Sequence, residues 1–131
     1  DPSDASRINL TDTEEQIHNK IKKAKTDTKS FPVNEKDLNK RPEIKNLIGI
    51  YSSLKSQKIT DTINEFQGTN FSNFKEKLSG VVIENISPIS KEISKLKSDK
   101  GHIFQVLKDG SEKAEAIAYE KVKKIKEIIG F

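Results

Sequence analysis

The chain has 131 residues, enough for one domain with its own core, yet only 32% are hydrophobic, 6% are aromatic and none is Trp, against about 45–50% apolar in ordinary domains. The 34% charged content mixes both signs and leaves a net charge of +4 and a pI near 9.2, which suits a phosphate-rich partner without requiring one. The absence of Cys excludes disulfides and thiolate metal sites, and no apolar run approaches the roughly 18 residues of a membrane span, so a soluble, Ile- and Leu-cored helical chain is expected.

Residues 1–10 combine Pro2, Ser3, Asp4 and Ser6 in a loop composition without a period. The chain begins with Asp1 and holds no Met, so it reads as a piece of a longer protein. Thr11-Asp12-Thr13-Glu14 fits a capping box and predicts a helix start. Ile17, Ile21 and Ala24 then give one narrow apolar face, ending near Thr26. Between His18 and Lys29 lie Lys20, Lys22, Lys23, Lys25 and Lys29 against Asp27 alone, an excess equal to the whole net charge of +4. On a helical wheel Lys20 and Lys23 flank the apolar face on one side, Lys22 and Lys25 on the other. The cluster fits a phosphate-tracking patch and a solvated surface equally well, and no aromatic is interleaved to stack on bases.

Asp27 to Lys40, interrupted by Pro32, predicts a long surface loop. Arg41-Pro42-Glu43 opens a second helix, because Pro suits the first helical position and an acidic residue suits the dipole there. Ile44, Leu47, Ile48, Tyr51 and Leu54 form its stripe. Thr60-Asp61 predicts the cap of a short helix carrying Ile63 and Phe66 and closed by Gly68. The longest stripe runs through Phe74, Leu78, Val81, Val82, Ile86, Ile89, Ile93 and Leu96, with Ile83 off the band and Pro88 expected to kink or break the helix. A last segment holds Ile103, Val106 and Leu107, passes Gly110, and continues with Ala114, Ile117, Ala118, Val122, Ile125, Ile128 and Ile129. No useful strand alternation occurs. The expected fold is all-α, a helical bundle of about five or six helices.

Nothing in this pattern is a self-sufficient active site. His18 and His102 are isolated, no GxxxxGK[ST] or GxGxxG cradle occurs, and no carboxylate pair is set apart as general acid and base.

Taken in order, Asp1-Pro2-Ser3, Arg7-Ile8-Asn9-Leu10, "KKAKTD" (22–27), "RPEIKNLIGIYSSL" (41–54), "FSNFK" (71–75), "ISPI" (86–89), "LKDGSEKA" (107–114) and the terminal "IIGF" resemble the end of bacterial-type tryptophanyl-tRNA synthetases, the portion after the KMSKS loop. The resemblance covers nearly the whole chain and is weakest over residues 28–39. It implies that residues 1–10 are the trailing edge of that loop with a linker, and that residues 11–131 are the helical tRNA (anticodon)-binding region of a class I synthetase. The catalytic domain, with the HIGH-type motif and the signature lysines, would precede Asp1 and be missing. The family makes tryptophanyl-adenylate from tryptophan and ATP with magnesium, esterifies tryptophan tRNA, and works as a cytoplasmic homodimer; no membrane or DNA partner is implied. This chain alone would hold no cofactor and be inactive.

The resemblance carries over few site residues. Asp1, Pro2 and Ser3 match the flank of the ATP loop. Asp109 and Lys113 are the choices for tRNA-facing groups at a helix junction near Gly110, although Asp109 also fits as the cap of a helix beginning near Ser111, worth about 1 kcal/mol. Lys22 and Lys25 are candidate phosphate contacts. The alternative function is a non-enzymatic basic helical interaction or scaffold module. A helical region that packs on a neighbouring domain needs less core of its own, so the isolated chain is expected to associate or fray. Sedimentation and thermal melts check this: a monomer that unfolds cooperatively would contradict it.

Overall fold

The computed structural model describes residues 3–130. Five α-helices carry the chain: α1 (Glu14–Lys23), α2 (Pro42–Leu54), α3 (Ile59–Glu65), α4 (Phe71–Ser98) and α5 (Lys100–Ile129), with short 3-10 turns at Asp4–Ser6 and Glu35–Lys40. No strand occurs among the described residues, so the all-α expectation holds. The chain forms two units, one up to Lys91 and the other from Glu92 onward.

In the first unit, α1 starts later than expected. Both Thr11…Glu14 and Thr13…Gln16 satisfy the capping-box spacing, and the fold uses the second: the Thr13 amide donates to Gln16 Oε1 at 2.8 Å, and the Gln16 amide donates to Thr13 Oγ1 at 3.2 Å. Asp12 is thereby left to close a turn on Asn9. Ile17 and Ile21 are buried as the periodicity predicts. The helix ends at Lys23, earlier than the expected Thr26, where Lys75 of α4 donates Nζ to the carbonyls of Lys22 (3.3 Å) and Ala24 (2.7 Å). A half-buried ammonium here satisfies carbonyls that the helix end leaves without partners.

The segment expected as a surface loop is a correction. Phe31, Pro32 and Leu38 are buried, and residues Glu35–Lys40 wind into a 3-10 turn capped by Asn34, whose Oδ1 accepts the Asp37 amide at 3.2 Å. With so few aromatics in the chain, an unperiodic Phe is too large an apolar surface to leave in water. Arg41 fastens the segment down: its Nε and Nη2 bond Asp27 Oδ2 and Oδ1 at 2.7 and 2.8 Å, Nη2 also bonds the Ser30 carbonyl at 3.0 Å, and the guanidinium lies 5.6 Å from the Phe71 ring centre.

Pro42 opens α2 at its first turn as predicted, and Ile44, Leu47, Ile48 and Tyr51 face inward. The cap expected at Thr60-Asp61 is also corrected. Lys58 is the N-cap without a side-chain bond, and α3 begins at Ile59. Thr62 is free for another task, since it is buried and its Oγ1 lies 2.8 Å from both Ser52 Oγ and Gln57 Nε2. Gly68 takes the left-handed conformation beyond α3, at φ 77°.

Phe74 is the centre of the core. It is fully buried, with Phe66, Phe31 and Tyr51 ring centres at 5.0, 5.2 and 5.9 Å. Leu78, Val81 and Val82 continue its side of α4, and Ile83, expected off the band, is partly buried against the same cluster. The helix runs through Pro88 without the expected break. The ring removes only the amide that would have met the Glu84 carbonyl, while Asn85 and Ser87 tie the turn down through bonds to the Val81 carbonyl (2.8 Å) and Glu14 Oε1 (2.7 Å).

The second unit comprises the last turns of α4 and all of α5, which has no buried residue. Phe104, Leu107, Ile117, Ile125 and Ile128 are all exposed there, Phe104 by 71% and Ile128 by 83%. Its helix passes Gly110 unbroken, so the expected junction, and with it a cap at Asp109, is corrected. One helical glycine costs about 1 kcal/mol relative to Ala, too little to split a helix rich in Lys, Glu and Ala on the far side. Gly130, at φ 83°, ends α5 instead.

Because Phe74 joins so many rings, Phe74→Ala should lower the unfolding free energy by about 3–5 kcal/mol, whereas exposed Phe104→Ala should change it by less than about 0.5 kcal/mol. Urea unfolding of both variants, followed by circular dichroism, checks the contrast.

Candidate nucleic-acid interface

The lysines of α1 do different jobs in the fold. Lys20 Nζ lies between Asp12 Oδ2 at 2.7 Å and Asp4 Oδ2 at 2.8 Å, with only 13% of its side chain exposed. Asp12 is still more covered, at 6%, and its carboxylate also accepts the Asn9 amide at 2.9 Å and Asn9 Nδ2 at 3.3 Å. Asn9 Nδ2 donates in turn to Asp4 Oδ1 at 2.7 Å. The hydrogen bonds it donates to Asp12 and Asp4 hold the Lys20 ammonium above its usual pKa. Burial pushes the Asp12 carboxyl up, but the bonds from Lys20 and Asn9 outweigh it and leave it below the usual carboxylate value. Lys20 is therefore part of the fold and not available to phosphate.

Lys25 reaches Glu43 Oε1 at 3.3 Å, an exposed pair that partly neutralises it. Lys22 and Lys23 are exposed at the C-terminal end of α1 with no ion pair among the described residues. Of the two lysines singled out for phosphate contact, Lys22 is thus the less encumbered. Lys22 lies in the last turn of α1 and Lys25 just beyond its C-cap, Ala24.

Asp109 and Lys113 belong to the second unit, one turn apart on the exposed surface of α5. Asp109 Oδ1 accepts Gln105 Nε2 at 2.7 Å, a bond along a continuous helix in place of the expected cap. Ser3 begins the described chain, with Oγ accepting the Ala5 amide at 3.2 Å; Asp1 and Pro2 lie outside the described residues.

Sequence patterning missed the groups that hold this surface: Asp4, Asn9, Asp12, Arg41 and Lys75. Asn9 three residues before Asp12 was a readable turn signal, but the reach from Asp12 to Lys20 and from Lys75 to α1 has no local signature. An open depression of about 640 Å³ between α2 and α3 has Glu35 and Lys58 as its only ionisable lining residues, which supplies no second carboxylate or His for acid-base work. No three of His, Cys, Asp and Glu gather as a metal site among the described residues, and no described helix is long and apolar enough to cross a membrane.

Residues 2–86, from the first segment to the end of the buried part of α4, match the sequence profile of the family described as tRNA synthetases class I (W and Y). The chain belongs to this family. Three relatives carry the similarity past residue 86 through α5. The tryptophan–tRNA ligase of Brucella melitensis is 44% identical over all 131 residues, which span 37% of its length. That of Rickettsia felis is 46% identical over 131 residues, 39% of its length. The Mesorhizobium japonicum ligase is 42% identical over 130 residues, 99% of this chain. The chain thus corresponds to well under half of each class I synthetase it resembles, and the part in hand is helical throughout its regular structure.

The pairing around Lys20 sets an acid limit on the fold. Asp4 and Asp12 titrate below their usual 3.8, so the stability they contribute is complete above that value and is lost as pH falls through their lowered pKa values. As pH rises towards 3.8 the unfolding free energy of the unaltered chain should increase and then level off, and Lys20→Met should flatten that rise. Urea titrations at several pH values measure both slopes.

Proposed function

We propose that this chain is the helical tRNA-binding part of a tryptophan–tRNA ligase. The observation that carries the reading is 44% identity to an enzyme of that name across all 131 residues. On this reading the whole enzyme activates tryptophan with ATP and magnesium, transfers it to tryptophan tRNA, and operates as a homodimer in the cytoplasm. The chemistry belongs to a catalytic part that precedes this chain. Asp1, Pro2 and Ser3 flank its ATP loop. Of the carboxylates near that end, Asp4 and Asp12 share Lys20.

The chain's contribution is to hold tRNA. Lys22 and Lys25 attract phosphates by displacing condensed counterions, which adds affinity without reading sequence. Asp109 and Lys113 present an acceptor and a donor one helical turn apart, the kind of polar pair that reads exposed edges of unpaired anticodon bases.

The test is binding of the chain to tryptophan tRNA and to the same tRNA with a swapped anticodon, at several salt concentrations. Tighter binding to the unaltered tRNA is expected; equal, steeply salt-dependent binding would leave only lysine–phosphate attraction, and binding to neither would make recognition depend on the rest of the enzyme. Lys22→Ala should weaken both complexes equally and reduce the slope of log affinity against log salt by about 0.7–0.9. Altered anticodon preference with an unchanged slope would remove Lys22 from the phosphate role.

A further inference from the structure

Two open hollows meet on the first unit. The depression of about 640 Å³ between α2 and α3 and a second of about 220 Å³ beside the Glu35–Lys40 turn share Glu35 and Ile59 as lining residues, so they form one continuous groove. Its floor is apolar. Leu38 belongs to the core cluster and Ile59 packs against it, while Gly49, inside α2, contributes bare backbone. Nothing lies within 4 Å of where a Cβ on Gly49 would stand, so no crowding in the fold calls for glycine at this mid-helix position, where it is a poor helix former. A close approach by something outside the chain does call for it.

The rim is cationic. Lys36, Lys45 and Lys58 line the groove, all exposed and none with an ion pair among the described residues, against the one carboxylate of Glu35, which leaves a net charge of +2. Lys20, Lys25 and Lys75, by contrast, are spent on Asp12, Glu43 and the carbonyls at the end of α1. Gln57 adds a polar group to the lining. Its Nε2 donates to Thr62 Oγ1 at 2.8 Å and to Glu65 Oε2 at 3.1 Å, which fixes the side chain and leaves Oε1 as an unused acceptor. The turn that presents it is strained: the Gln57 amide donates to the Ser52 carbonyl at 3.0 Å and the Ser56 amide to the Ser53 carbonyl at 3.2 Å, with Ser56 at φ 53° where glycine is usual.

We propose that this groove holds an unpaired nucleotide of bound RNA, with the base on Gly49 and Ile59, its N–H edge toward Gln57, and the flanking phosphates among Lys36, Lys45 and Lys58. This rests on the reading of the chain as a tRNA-binding part. An unpaired nucleotide combines what the groove is built for: a flat apolar face, donors at the edge of the ring and negative charge outside it. A base held in a duplex keeps its faces stacked and cannot enter. The contact is separate from those assigned to Lys22, Lys25, Asp109 and Lys113, none of which lines the groove.

The test is binding of the chain to tryptophan tRNA, to a single-stranded oligouridylate and to an RNA duplex of equal length, followed by fluorescence anisotropy at several salt concentrations. Gly49→Leu fills the groove from a position with open space and with a better helix former. The thermal midpoint should hold or rise, while tRNA and oligouridylate bind about tenfold more weakly, the scale of uncovering one face of a base, and the duplex is unaffected. Lys45→Ala and Lys58→Ala should each lower the slope of log affinity against log salt for the single strand by about 0.7. Unchanged binding of tRNA and oligouridylate by Gly49→Leu overturns the proposal, and so does equal weakening for the duplex. Displacement of oligouridylate by polyglutamate as effectively as by RNA also overturns it and gives the groove to an acidic protein segment. If the unaltered chain binds none of the three RNAs, the proposal falls. Attachment of tryptophan to tRNA by the complete protein carrying this chain checks the ligase reading separately, so the two can fail independently.

Discussion

Phe74 has no exposed surface, and the first unit is built around it. A chain with so small an apolar supply cannot spread its core thinly, because burial scales with area and a marginal cluster would not offset the entropy of ordering the backbone. The rings of Phe31, Tyr51 and Phe66 close on Phe74 from a loop, from α2 and from the end of α3. Two pairs pack nearly edge-on, with interplanar angles of 82° between Phe66 and Phe74 and 86° between Tyr51 and Phe66, which suits the ring quadrupoles. Elements that share no sequence periodicity are thus joined at one point.

Around this nucleus the polar groups act as fasteners. Arg41 holds the Phe31 segment in place through Asp27 and the Ser30 carbonyl, and Lys75 closes the carbonyl end of α1. Tyr51 bonds Glu65 at 2.8 Å from within the ring cluster; burial first, then that bond, pushes its hydroxyl up to about 12, so it stays a neutral donor throughout the physiological range. Each fastener crosses between segments that the apolar cluster has already brought close. Charge-assisted bonds of this kind repay desolvation only when the geometry is supplied from elsewhere, and here Phe74 and its neighbours supply it.

The second unit has a different character. Its helix carries large exposed apolar side chains along its length and buries none of them. Similarity to the tryptophan–tRNA ligases nevertheless runs through it, although the family profile stops at residue 86. The first unit therefore holds the family's shared pattern and the buried core, while the similarity to the tryptophan–tRNA ligases extends over both units. The chain spans 37% of one such relative's length, and of the lysines at α1 Lys20 is spent on the fold while Lys22 is exposed.

By itself, the sequence determined that the chain is helical and, for α1, α2 and the first half of α4, which side of each helix is buried. Ile17, Ile21, Ile44, Leu47, Ile48, Leu78 and Val82 are where a repeat of 3.6 puts them, because helix geometry is local and every turn repeats the same constraint. The ordered motifs across the chain likewise sufficed for the family. Tertiary structure alone decided which of two overlapping capping boxes is used, that Phe31 and Leu38 are core residues, that Gly110 does not divide the last helix, and that Lys20 belongs to a buried ion pair while Lys22 does not. Each of those outcomes turns on a partner distant in sequence or on competition between local options of nearly equal energy. Lys20 and Lys22 are the same residue type two positions apart; a helix turns them to different surroundings, and only the fold says which one meets Asp4 and Asp12.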